Sequence, residues 1–346
     1  MTGQSKTEKR RSNTHVEQLA AATAIYAALA AYLYGPYFRN FNTLHYLVVP
    51  NACLGALGCF VLSRRWVRAF SGSFFAGALY GFGPFFLGLA RFHPTAGLLA
   101  ASIPWLFCPA AFVVKTRWPR LAIPLATLPF LAIPLFFRLF AHYRLFAAST
   151  QARLHGADAL GLLAPLVAIH RGSTMVGFYH VPLAMLVMGV AMLLAARRVG
   201  IIVILCLGTV LACYDSFFDV SPIMWLSIPM VCGSILIGAG MNGLASAGFG
   251  DRKWVLLAAA IMGALSIGTL LLATKYFQVF AGLGANYAKL FTETAWMYIL
   301  GAIAVGIIFS IIRAKQRVAT LRKIVLCSAM AVDIFFSARL IVDGIH

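Results

Sequence analysis

Few residues in this chain are equipped for chemistry, and the most expensive to keep is Asp333. It stands at the middle of the apolar run 324–342, which is long enough to cross a bilayer as a helix. A carboxylate at that depth costs roughly 2.5–3.5 kcal/mol, so it faces a partner, a cavity or a pathway. Such a group can couple to a proton or cation, oppose the charge of a substrate, or hold a buried hydrogen bond. Ser337, four residues on, shares its helical face. Arg339 is six residues on, about 240° around the helix, and is expected to snorkel to the outer surface. A partner for Asp333 must therefore come from another span.

A second acidic constellation is the turn Tyr214-Asp215-Ser216-Phe217-Phe218-Asp219-Val220-Ser221-Pro222. Asp215 and Asp219, four apart with aromatics between them, could bind a cation or act as an acid/base pair. The plainer reading is a solvated turn in which Asp219 or Ser221 caps the next helix, with Pro222 at its first position. His180 and Tyr179, close to Pro182, could line a cavity. Haem is not expected, because no second histidine lies clearly at that depth; His45 falls at the outer start of a span. Neither a cofactor nor a metal is expected. Glu293 reads as a first-turn carboxylate favoured by a helix dipole.

Arginines at 138, 144, 153 and 171 bracket or punctuate one long loop, together with His142, His155 and His170 and a single acid, Asp158. Arg138, Arg144, Arg153 and Arg171 could attract an anionic substrate or lipid headgroup. The string Gly238-Ala-Gly240-Met-Asn-Gly243 matches a dinucleotide fingerprint by letter only. It lies within an apolar helix, and Ala239, Gly243 and Ala247 repeat every four residues, a pattern for close helix packing. Sequences diagnostic of serine hydrolases, zinc proteases or nucleotide phosphate loops are missing.

The elements that must position these residues are membrane helices. Of 346 residues 62% are hydrophobic and 11% charged, with mean hydropathy +0.88. A soluble chain carries about 25% charged residues. Apolar runs recur at about 17–34, 43–62, 69–90, 95–114, 121–140, 174–195, 199–214, 222–243, 254–274, 291–312 and 324–342. The fold class expected is an all-α polytopic membrane helix bundle with about 11 spans. The divisions are a disordered basic tail at 1–16, a five-span proline-rich module at 17–140, a basic outer loop at 141–173, and a six-span module at 174–346. Within that loop, residues 157–169 are apolar enough to lie on the membrane surface. The first span reads as a retained anchor.

Cations set the orientation. With the N-terminus in the cytoplasm, 19 of the 28 Lys and Arg fall on the inner side, and every inner loop has a cluster. The C-terminus is then outside. The formal charge of +19 follows from this topology and does not point to nucleic acid. Prolines 119, 124, 129 and 134 recur in the fifth span, and Pro104 and Pro109 in the fourth, so both are expected to kink or partly unwind. Seven scattered cysteines (Cys53, Cys59, Cys108, Cys206, Cys213, Cys232 and Cys327) read as small apolar packers.

Three functions fit. The favoured expectation is a secondary transporter of a small molecule or ion in the inner membrane of a bacterium. The alternatives are an integral subunit of a larger membrane complex and an enzyme acting on a lipid-linked substrate at the outer face. The partners expected are the lipid bilayer and other membrane subunits.

Overall fold

The computed structural model describes residues 2–40, 45–92, 94–113, 119–140, 181–214, 217–247, 252–275, 286–313 and 319–345. Among them every extended element is helical, and the sole strand-like pairing is an isolated bridge between Phe217 and Val220. The helices are α1 (Thr2–Tyr34), α2 (Val48–Ser63), α3 (Phe70–Phe82), α4 (Pro84–Phe92), α5 (Pro94–Val113), α6 (Ala122–Ala126), α7 (Leu128–Phe140), α8 (Leu183–Ala195), α9 (Gly200–Cys213), α10 (Pro222–Ser246), α11 (Arg252–Lys275), α12 (Asn286–Arg313) and α13 (Ala319–Ile345). Among the described residues eight segments are long and apolar enough to cross a membrane, and α2, α8 and α9 are shorter apolar helices. Each falls on one expected run, and the chain is a polytopic helical membrane protein.

Two spans are broken by their own residues. Gly83 adopts an extended conformation between α3 and α4 (φ −74°, ψ 158°). The following Pro84 disfavours helical geometry at Gly83 and has no N–H to continue the ladder. In the fifth span the break falls at Thr127, between α6 and α7, whose hydroxyl and N–H both turn back to the carbonyl of Pro124. The fourth span departs from expectation. α5 runs unbroken through Pro104 and Pro109. Pro104 leaves the Ala100 carbonyl, four residues earlier, without its helical donor. The buried Tyr80 hydroxyl of α3 donates to that carbonyl at 2.6 Å. A neighbouring helix thus supplies the bond that proline removed, and no unwinding is needed.

The N-terminal segment also differs. Residues expected to be disordered continue α1 back to Thr2. Lys6, Glu8, Lys9, Arg10 and Arg11 are good helix formers, and extending an existing apolar helix avoids the cost of a new nucleus.

α10 is the hub. Its apolar window is 94% buried, as is that spanning Phe70–Ala90, whereas Ala122–Phe140 is only 17% buried. α10 packs against α8, α9, α3, α5 and α2, so helices from both halves share one core. Small residues permit this approach. A β-carbon on Gly240 would strike the Met185 carbonyl of α8, and one on Gly189 of α8 would strike the Leu236 carbonyl. The letter match to a dinucleotide motif is therefore a packing seam.

Contacts between loop-proximal residues agree with the alternation of sides. Arg64 reaches Gln18 at 2.6 Å, Arg322 donates to the Ala247 carbonyl at the end of α10, and the Tyr37 hydroxyl donates to Asp343 at 2.6 Å. The first two pairs join residues assigned to the inner side and the third joins residues assigned to the outer side.

Candidate functional site

α13 turns one stripe into the core: Leu326, Met330, Ile334, Ser337, Ala338 and Ile341 are all buried. Their spacing of three and four residues is that of a helix face. Asp333 sits at the edge of the stripe and is half-buried. There it lines a cavity of about 360 Å³ between α8, α11, α12 and α13. Volumes of roughly 300–1,000 Å³ are those of small-molecule sites.

Across this cavity stand Thr294 and Tyr298 of α12, one helical turn apart and both buried. Asp333 and Tyr298 line the same cavity from α13 and α12. The helix that supplies the neighbour of Asp333 is thus the tenth span. Apart from Ser328 of α13, the rest of the wall is apolar and soft: Met185, Met262, Met297 and Met330 come from four different helices. Thioether side chains adapt to irregular contents. One carboxylate and three hydroxyls, those of Thr294, Tyr298 and Ser328, can orient a solute or hold a proton or cation on such a wall, while the methionines accept its apolar body.

The sequence-derived candidates do not all converge here. Ser337 shares the face of Asp333 only in part. It points into the core, does not line the cavity, and its hydroxyl has no hydrogen-bond partner among the described residues. The 40° offset between residues four apart is enough to move it from the cavity edge to the packed stripe. Arg339 is exposed and turned away from Asp333; its Nε pairs with Asp343 at 3.3 Å.

Asp219 is exposed. Phe218 and Asp219 both have positive φ (56° and 57°), and the Val220 N–H donates to the Phe217 carbonyl, so this is a tight turn. Ser221 occupies the N-cap of α10 with Pro222 after it, yet its side chain makes no capping hydrogen bond. Arg138 is exposed in the last turn of α7. Glu293 requires a correction: α12 begins at Asn286, so Glu293 lies two turns inside the helix and not in its first turn. The apolar run starts near residue 291, but the polar residues before it also helix. Asp215, Tyr179, His180, Arg144, Arg153 and Arg171 lie outside the described residues, as does Asp158.

Sequence reasoning missed Thr294 and Tyr298. Their four-residue spacing on an apolar helix was the available signal, but hydroxyls are common in membrane helices and nothing in the sequence aims them at Asp333. It also missed Tyr80 and Tyr26, whose buried hydroxyls donate to the Ala100 and Phe74 carbonyls, both at 2.6 Å. Cys59 and Cys232 are fully packed, consistent with small apolar side chains. In comparisons with known proteins, no family model, curated protein or solved structure matches this chain.

Proposed function

We propose that this chain is a secondary transporter of a small, largely apolar solute, with Asp333 holding a coupled proton or cation. The observation that carries this reading is Asp333 on the wall of an apolar cavity of about 360 Å³, opposite Thr294 and Tyr298. A carboxylate retained at mid-span against a cost of roughly 2.5–3.5 kcal/mol is explained by work it does in that cavity. The interrupted third span adds support. α4 packs against α13, and a helix broken at Gly83 can move in two halves. The setting proposed is the inner membrane of a bacterium, with the clustered cations on the cytoplasmic side.

The test is reconstitution into liposomes loaded with a pH-sensitive dye. Solutes of graded polarity are added outside, and proton movement is followed. Solute-dependent proton flux in the native protein, lost in Asp333→Asn with an unchanged gel-filtration profile, is the expected result. Flux that persists in Asp333→Asn removes the coupling role. Stable stoichiometric co-purification with other membrane subunits and no flux at all would replace transport by a structural role.

A further inference from the structure

A second cavity lies at the inner end of the bundle. It is a groove of about 560 Å³ between α2, α5, α6, α9 and α10. Phe107, Ile123, Val203 and Ile235 give it apolar walls. It opens sideways, where Ile123 is 77% exposed and Val203 59% exposed.

One end of the groove has different chemistry. Arg65 and Trp66 line it from the turn after α2, and Arg198 and Gly200 line it from the start of α9. Among the described residues, no acidic side chain lines the groove. Arg64, next in the chain, is occupied by Gln18 and by the Arg68 carbonyl at 2.8 Å. Among the described residues the guanidinium groups of Arg65 and Arg198 make no hydrogen bond or ion pair.

The backbone fixes one of these cations. α8 ends with Arg197 in the left-handed region (φ 54°). The N–H of Arg198 returns to the Leu193 carbonyl at 2.9 Å and that of Arg197 to the Leu194 carbonyl at 3.0 Å. This is a Schellman closure, and it locks the main chain on which Arg198 is carried. α9 then starts at Gly200, whose Cα faces open space. The first N–H groups of a helix have no intrahelical acceptor and carry the positive end of its dipole.

We infer that this groove binds an anionic phospholipid of the cytoplasmic leaflet. Its phosphate sits between Arg65, Arg198 and the start of α9, and an acyl chain lies along Phe107, Ile123 and Ile235. Trp66 occupies the interfacial depth suited to its ring. Two guanidinia at the polar end, unpaired among the described residues, and an apolar wall beyond them match a ligand with that same division. Basic pockets between membrane helices on the cytoplasmic side take such headgroups.

The test is titration of the purified full-length protein with phosphatidylglycerol and with phosphatidylcholine of identical chains, read by native mass spectrometry. The native protein is expected to prefer phosphatidylglycerol. Arg65→Gln and Arg198→Gln are each expected to weaken that lipid by about fivefold and the pair by about 25-fold, leaving phosphatidylcholine unchanged. Ile123→Trp fills the groove without touching its charge, at an exposed position that tolerates it, and is also expected to weaken phosphatidylglycerol. Arg68→Gln, exposed in the same loop and outside the groove, is the control. Equal affinity for the two lipids, an equal loss in Arg68→Gln, or no effect of Ile123→Trp overturns the proposal. Competition by millimolar inorganic phosphate together with indifference to Ile123→Trp would mark a free-anion site instead.

Discussion

Gly72 and Gly238 meet backbone to backbone where α3 crosses α10, each leaving no room for a β-carbon beside the other's carbonyl oxygen. Among the described residues, the two most buried of the long apolar spans touch here. In a bilayer the association of helices rests on such close packing, since lipid tails are as apolar as leucine. Gly238→Leu is expected to destabilise the protein by about 3 kcal/mol, because neither backbone can move aside. Gly306→Ala meets nothing within 4 Å and is expected to be neutral or mildly stabilising. Thermal unfolding in detergent measures both.

Asp333→Asn is expected to abolish coupled flux without lowering thermal stability, because the amide keeps the size of a half-buried side chain. Tyr298→Phe removes a hydroxyl from the residue that lines the cavity with Asp333. It is expected to reduce flux about tenfold, because one of the polar groups lining the cavity is lost. Equal transport by Tyr298→Phe and the native protein would exclude the tyrosine from the coupling site.

Tyr80→Phe is expected to cost about 1–3 kcal/mol, because it leaves the Ala100 carbonyl buried without a donor. Pro104→Ala restores the helical N–H to that carbonyl. In the double variant the penalty of Tyr80→Phe should therefore shrink. A double-mutant cycle from unfolding midpoints measures the difference, and simple additivity would refute the compensation.

Arg197→Gly relieves a left-handed residue at the end of α8. It is expected to stabilise the protein by about 1 kcal/mol, provided the Schellman closure is kept. Unfolding midpoints decide this. A loss of stability would mean that the arginine side chain contributes more than its backbone strain costs.

A C-terminal alkaline phosphatase fusion expressed in a bacterium is expected to be active, and a fluorescent-protein fusion at the same place dark. Asp343, three residues from the end, is clasped by Tyr37 on the side assigned to the outside. The reverse pattern would invert the whole assignment.

Membrane class, the number and order of apolar spans, and the alternation of loop charge were all legible in the sequence. Each depends on local composition, because a bilayer demands about 20 apolar residues per crossing and sorts cations by side. The break at Gly83-Pro84 was legible in principle as a local helix-breaking pair. The continuity of α5 was not. Whether a proline unwinds a helix depends on a donor from another element, and Tyr80 is 24 residues before Pro104 in the chain. The same limit applies to the site. Asp333 stood out alone because burying a charge is costly wherever it occurs. Its placement on a cavity facing Thr294 and Tyr298, and the gathering of Arg65 and Arg198 at one groove, required the rotation and contact of separate helices. Those are set by packing between small residues such as Gly72 and Gly238, and apolar membrane helices carry little polar patterning from which that rotation could be read.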